Sequence, residues 1–311
     1  MNILSLFDGI SCGRIALERS NIKVDNYFAS EIDKNAIKIS KHNYPDIIQL
    51  GDVRELTEDV LNKLPKIDLL IGGSPCQNLS SNGDGSGLNG SKSKLFWEYV
   101  RILKIVKPKF FLLENVHMKK QYEHIISEEL NVNPIDINSN LLSAQNRPRL
   151  YWTNIPNVTL PKDKNINLKD ILVDDQFNLK NHYNLKVDSN YNNNEIALIN
   201  VVNDEVRISQ ATKQGYIVAE SGDGVNLSFA TSKTRRGRVI RQKSNTLDCQ
   251  CNISVYYDNI VRRLNITELE RLQTLPDGYT NVGISDSGRK KAIGNGWTVD
   301  VIAHIFNHIN K

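Results

Sequence analysis

The chain has 311 residues, 40% of them apolar, four cysteines and a formal net charge of +4. That length and apolar content suit one large domain with an appendage, or two domains, and the four irregularly spaced cysteines (Cys12, Cys76, Cys249, Cys251) exclude a disulfide framework. No apolar run approaches the ~18 residues of a membrane helix, and "MNILSLFDGI", with no basic start and an acid at Asp8, does not read as a secretory signal; a cytoplasmic protein without a membrane partner is expected.

The elements alternate from the start. "NILSLF" reads as a strand and "GRIALERSN" as a helix; "DNYFAS" and "DKNAIKISKHNY" repeat the pair. "DIIQL", "VRELTEDVLNKL" and "IDLLIGG" read as strand, helix and strand, followed by a Gly/Ser-rich loop from Ser80 to Ser93. "KLFWEYVRILKIVK" is a helix, "KFFLLEN" a strand, "YEHIISEEL" a helix, "NPIDINSNLLSA" mixed and "RLYWTNI" a strand. Strands alternating with helices of this length predict an α/β fold, a doubly wound and mostly parallel sheet. Runs such as "IDLLI" fit strands buried on both faces.

After about Ile155 the texture changes. Asn and Asp become dense ("DSNYNNNE") and short β-like runs appear ("ALINVV", "GYIVA", "ISVYY"), which predicts a smaller, irregular, β-rich domain. Helical periodicity returns with "TELERLQTL". In the last helix, "TVDVIAHIFNHI", Val299, Ile302, Ile305, Phe306 and Ile309 fall at helical spacing. That helix is expected to pack back on the first domain, so that the doubly wound domain is interrupted by an insert.

In open α/β sheets ligands bind at the carboxyl ends of the strands. The first strand ends in "FDGISCG", where Gly9 and Gly13 flank a turn. The second ends in "SEID", where Glu31 can bind the ribose hydroxyls of a nucleoside. The third leads into "GDV", where Asp52 can accept from an adenine amino group. Each is weak alone: a glycine turn is ordinarily only a turn, and an acid at a strand end is ordinarily solvated or a helix cap, the reading that suits Asp33. Three in order on consecutive strand ends are harder to dismiss. The fourth strand ends in "GGSPCQNLS", with Cys76, and the fifth in "FLLENV", with Glu114. By itself Cys76 could be a core residue, a metal ligand, half of a disulfide or a nucleophile.

"SPCQ", "ENV", "QNRPR" (Gln145 to Arg149), "RLNITELERLQTLP" and "GNGWTV" occur in the order found in cytosine-5 DNA methyltransferases, which the chain resembles over roughly residues 3–154 and 260–306. "FDGISCG", "GGSPCQNLS" and "GNGWTVDVI" are most similar to the animal de novo branch and to bacterial or phage relatives. The first motif is spaced F-x-G-x-x-x-G, where much of the bacterial family has F-x-G-x-G. The resemblance implies a Rossmann-like catalytic and cofactor-binding domain at 1–155 plus 285–311, and a target-recognition domain and hinge at 156–284. It implies transfer of a methyl group from S-adenosylmethionine, leaving S-adenosylhomocysteine, to carbon 5 of a flipped-out cytosine in duplex DNA. The expected setting is a bacterial or phage restriction-modification or genome-protection system, with a cognate restriction endonuclease as a candidate partner and a monomeric enzyme.

That chemistry needs these residue types. Carbon 5 of cytosine is a poor nucleophile until a thiolate adds at carbon 6, and a cysteine can both attack and leave. Cys76 matches the nucleophile and Glu114 the acid that supports N3. Arg149 matches the group on the cytosine carbonyl, with Arg147 beside it. The resemblance puts Phe7 and Ile32 on the adenine, Glu31 on the ribose, Asp52 with Val53 at the adenine amino group, and Asn295 and Trp297 at the amino-acid end. Asp8, Gly9, Gly13 and Pro75 complete the cofactor set. Gln77, Ser81 and Gln145 fall on the DNA side. Leu264, Glu268, Arg271 and Gln273 belong to a stretch that organises the recognition domain, a structural role.

The cluster "KTRRGRVIRQK" carries Lys233, Arg235, Arg236, Arg238, Arg241 and Lys243 with no acid. A charge run is ordinarily a solvated loop; inside a recognition domain it is expected to contact phosphates, with one Arg reading guanine. Cys249 and Cys251 lack a nearby His pair, so no metal is expected. Cys12, His304 and His308 read as packing or surface residues. The rival readings are a transfer-RNA methylase, whose usual Cys-Phe-Thr signature is missing, and a catalytically dead DNA-binding relative, disfavoured because the catalytic and cofactor residues occur together.

Overall fold

The computed structural model describes residues 1–74 and 94–309. The first half contains β1 (Asn2–Leu6), α1 (Cys12–Arg19), β2 (Asn26–Ser30), α2 (Lys34–Asn43), β3 (Ile48–Gln49), α3 (Glu58–Leu61), β4 (Leu69–Gly72), α4 (Lys94–Val106), β5 (Phe110–Asn115), α5 (Lys120–Leu130), β6 (Ile135–Asn138) and β7 (Pro148–Thr153). These seven strands form one sheet in the order β3-β2-β1-β4-β5-β7-β6. Pairing is parallel except at β7, which runs against both β5 and β6. The expected mostly parallel sheet is present.

Alternation along the strands divides the core. Ile3, Leu69, Ile71 and Leu112 face one side, Leu4, Leu6, Leu70 and Leu113 the other, all fully buried. The stretch expected as one helix, "VRELTEDVLNKL", is instead a single 3₁₀ turn at Val53–Glu55 and the short α3. Two caps divide it: Asp52 accepts from Arg54 N and Thr57 from Val60 N, each starting its own turn.

The second half adds β8 (Leu179–His182), β9 (Leu185–Asp188), α6 (Asn193–Ile196), β10 (Ile199–Val202), β11 (Glu205–Ser209), β12 (Tyr216–Ala219), β13 (Asp223–Asn226), β14 (Arg238–Ile240), β15 (Ser254–Tyr257) and β16 (Ile260–Arg263), then α7 (Ile266–Leu272), α8 (Asp286–Asn295) and α9 (Val299–Phe306). The strands make a three-stranded sheet, β10-β11-β12, and a six-stranded sheet, β14-β13-β15-β16-β9-β8. Val187, Val206, Ile208, Val225 and Val261 form their own core. Helix α7 starts on a reciprocal cap between Asn265 and Glu268, and Glu268 also holds the buried Arg262 guanidinium by two hydrogen bonds. Leu264, Leu269 and Leu272 pack into the larger core with α9, whose apolar stripe lies against α1. Ser20 Oγ donates to Ala303 O (3.0 Å), and Arg19 pairs with Asp300 at 2.6 Å. Among the described residues no helix is long and apolar enough to cross a membrane.

Candidate active site

A cavity of about 1010 Å³ opens at the carboxyl ends of β1, β2, β4 and β5. At the β1 end the chain turns through the left-handed region at Phe7 (φ 57°), Gly9 (φ 60°) and Ser11 (φ 60°). A Cβ on Gly9 would meet no atom within 4 Å, so the backbone there borders open space. Gly9 N donates to Glu31 Oε2 (2.8 Å), while Ile32 N and Asp33 N donate to Oε1 (2.7 and 2.8 Å). Three amides therefore fix the Glu31 carboxylate at the end of β2, and the remaining lone pair on Oε2 can accept from a ligand. Ile32 lies at the cavity wall, 67% exposed. Asp33 caps α2 and pairs with Lys291 at 2.6 Å, consistent with its reading as a cap. Asp52 is held by the Arg54 guanidinium, which keeps its carboxyl below the usual range.

On the opposite wall, Glu114 of β5 pairs with Arg149 of β7 (Nε to Oε1, 3.0 Å) and accepts from Trp297 Nε1 (3.1 Å). Arg149 Nη1 donates to Pro148 O (2.8 Å); Nη2 has no partner among the described residues. Asn295 also reaches the cavity, beside the exposed Cys249, whose thiol donates to its Oδ1 at 3.1 Å.

Phe7, Gly9, Glu31, Ile32, Asp52, Val53, Glu114, Arg147, Arg149 and Asn295 all line this cavity. Asp8, Gly13 and Trp297 stand behind the wall. The Asp8 carboxyl accepts from Tyr27 (2.7 Å) and Ser11 beneath the β1 turn, and burial raises its pKa to about 6. Gly13 is a packing glycine: a Cβ there would lie 2.4 Å from Ile71 Cδ1. The Trp297 ring closes over Gly73, where a Cβ would lie 2.9 Å from Nε1. Pro75, Cys76, Gln77 and Ser81 lie outside the described residues.

Two arginine-loop expectations change. Gln145 is not on a DNA-facing surface: it is fully buried, Nε2 donating to Leu272 O (3.2 Å) and Gln273 Oε1 (3.1 Å) while Oε1 accepts from Leu247 N (2.9 Å). Arg147 reaches the cavity but spends its guanidinium on the carbonyls of Leu247, Gly294 and Gly296 (3.0–3.2 Å). Its burial lowers its pKa to about 10, so it remains a cation at neutral pH. Lys243 likewise leaves the basic cluster. Its ammonium turns inward to the carbonyls of Asn140, Ser143 and Ile166. Lys233, Arg235 and Arg238 are exposed, Arg236 is half-buried with its guanidinium on Ser232 O, and Arg241 pairs with Asp223 and Glu220.

Thr246, Leu247, Asp248 and Cys249 form a cavity wall that the sequence did not announce. Residue 244 pairs in parallel with 145, and Ser244 N donates to Ala144 O (2.7 Å) while Asn146 N donates to Ser244 O (2.9 Å). A Cβ on Gly294 would lie 2.0 Å from Asp248 O, so α8 abuts this segment backbone to backbone. Nothing in the local periodicity of "SNTLDCQC" signals such a place.

The C-5 cytosine-specific DNA methylase family model matches residues 1–311. The chain is 28% identical to the Type II methyltransferase M.FnuDI of Fusobacterium nucleatum across all of this chain and 94% of that one. It is 36% identical to the orphan methyltransferase M.SPRI of Bacillus phage SPR over 49% of this chain and 37% of that one. Its fold is similar to that of a prophage-encoded protein of E. coli described as a DNA modification methyltransferase (TM-score 0.68, 20% identity, 100% and 98% of the two chains). DNMT2 of Spodoptera frugiperda is similar too (TM-score 0.63, 18% identity, 100% and 99%). With its whole length matched and the strand-end acids, the Glu114–Arg149 pair and one shared cavity in place, the chain belongs to the C-5 cytosine-specific DNA methylases, a family of S-adenosylmethionine-dependent enzymes that act on DNA.

Proposed function

We propose that this chain methylates carbon 5 of a cytosine in duplex DNA at a site it recognises by sequence, with Cys76 as nucleophile. The observation that carries this reading is the Glu114–Arg149 pair, 3.0 Å apart, in the same cavity as Glu31 and Asp52. One end of the cavity offers acceptors for a nucleoside, the other a fixed acid and a guanidinium for a pyrimidine edge. The residues suit the cofactor: an open backbone at Gly9, a carboxylate on three amides and an exposed apolar side chain at Ile32 are a nucleoside's partners. Glu31 would hold the ribose, Asp52 and Val53 the adenine amino end, Phe7 and Ile32 the ring, and Asn295 the amino-acid end. Bound there, S-adenosylmethionine supplies an electrophilic methyl group and leaves as S-adenosylhomocysteine.

The rest is done by the chain's own groups. The Cys76 thiolate adds to carbon 6 of the flipped base, carbon 5 takes up the methyl group, and the carbon 5 proton then passes to solvent water as the carbon 6–sulfur bond breaks and the thiolate leaves. Glu114 gives a proton to N3 as the thiolate adds, offsetting the negative charge that builds on the ring, and takes it back when the thiolate leaves. Arg149 holds Glu114 and offers its free donors to the carbonyl. Arg147 positions the wall behind them. Catalysis and cofactor binding are assigned to 1–155 with 285–311, and target recognition and the hinge to 156–284. We infer a monomer without a metal, so activity should survive EDTA. A cognate restriction endonuclease and a cytoplasmic setting complete the reading.

The test uses purified protein, S-adenosylmethionine and plasmid DNA, read by bisulfite sequencing. Methylated cytosines at one defined site, lost in Cys76→Ala and trapped as a covalent adduct on 5-fluorocytosine DNA, are expected. Methyl transfer to transfer RNA but not DNA, or full activity in Cys76→Ala, would reject the reading.

A further inference from the structure

The catalytic cavity does not end at Asp248. That residue also lines a second groove of about 310 Å³, whose other walls include Asn192 and Asn194, Phe229, and Gln250 and Asn252. The groove is uncharged but for two acids, Asp248 and Glu195, and Glu195 is already engaged by Arg263 and by Asn192 N. No Lys or Arg lines it among the described residues. The lining itself offers a phosphate no cation. Amides that carry a donor and an acceptor side by side suit the edge of a base.

Two chain tips border the groove. On one side the turn at Gln250 is tied down by Asp248, whose Oδ1 accepts from Gln250 N (2.9 Å) and Cys251 N (2.8 Å). Cys251 sits in the left-handed region (φ 49°) and its thiol donates to Lys290 O of α8 at 3.3 Å. On the other, Phe229 is also left-handed (φ 58°) and 57% exposed, and the Arg235 guanidinium covers its ring at 4.6 Å. An exposed aromatic and an exposed amide thus stand beside the cavity assigned to the target base.

We propose that Gln250 and Phe229 read the base pair flanking the target cytosine from the major groove, Gln250 through paired amide bonds and Phe229 through apolar contact. The proposal rests on the reading of this chain as a sequence-specific DNA methylase. It places sequence discrimination in a groove whose own lining has no Lys or Arg among the described residues, with Arg235 of the basic cluster stacked on one wall. A Gln amide matches the donor and acceptor of adenine, and an aromatic edge matches the thymine methyl, so an A·T pair is the best chemical fit at that position.

The experiment methylates a duplex library with randomised bases around the target cytosine, read by bisulfite sequencing. Wild-type protein tests the enzymatic reading first: no methylated cytosine at all would overturn that reading and this proposal with it. Given an active wild type, Gln250→Ala and Phe229→Ala are expected to lose preference at the same single flanking position by about fivefold or more, with the rest of the site unchanged. Gln250→Glu, equal in shape, should move the preference away from adenine. A sequence preference unchanged in all three variants, or a uniform drop with the pattern intact, would overturn the proposal.

Discussion

Arg149 Nε lies 3.0 Å from Glu114 Oε1 across the antiparallel neighbours β5 and β7, and Trp297 Nε1 lies 3.1 Å from the other carboxylate oxygen. Both oxygens are thus oriented by protein groups before any substrate arrives. Glu114→Gln keeps the shape but removes the ion pair and the acid. Its single-turnover methylation rate is expected to fall by about 10²-fold or more, with cofactor affinity within a few-fold of wild type. A rate within threefold of wild type would remove Glu114 from the chemistry.

Arg147 acts through the fold. Lysine at 147 cannot reach three carbonyls at once, so Arg147→Lys should leave at least one of the carbonyls of Leu247, Gly294 and Gly296 without a donor. A loss of about 2 kcal/mol in stability is expected, read from urea midpoints. Methylation should fall in parallel, because Leu247 and Gly294, two of the three, line the cavity.

Asp8 gives a pH signature. Burial raises its pKa from the usual 3.8 to about 6. A raised acid favours the folded state while protonated, so this contribution is complete below 3.8 and is lost as pH rises through about 6. Asp8→Asn, neutral throughout, should gain on wild type by roughly 2–3 kcal/mol between pH 4 and pH 8. Denaturation midpoints at several pH values check this; a constant difference would contradict it.

The basic cluster divides by orientation. Arg238 is exposed, whereas the Lys243 ammonium is bound to three carbonyls. Arg238→Gln should lower the slope of log affinity for DNA against log salt by about 1. Lys243→Gln should leave that slope unchanged and lower the thermal midpoint.

The legible parts of the sequence were those where local chemistry and position coincide. Glu31, Asp52 and Glu114 were found because strand ends in an α/β sheet collect ligands, and their side chains meet one cavity. The motif "QNRPR" drew attention to Gln145 and Arg147 but misjudged Gln145: a polar residue in a motif can be there for packing, and only its bonds to Leu272, Gln273 and Leu247 reveal it. Lys243 was misread because a run of like charges says nothing of which side chain turns inward. The wall at 246–249 was invisible because its place depends on pairing with residues about a hundred positions away.

That pairing bears on how such a protein can change its target. Ser244 is stitched to Ala144 and Asn146, and Asp248 lies flush against Gly294, so the end of the middle segment is welded to the reaction centre. A transplant from a relative that replaced everything from 156 to 284 would carry a foreign weld with it. One ending before Gln242 would exchange the strands β8 to β14 and leave the seam intact. Inheritance by recombination would favour the second cut, so the breakpoints of natural chimeras in this family should cluster on the amino-terminal side of residue 242.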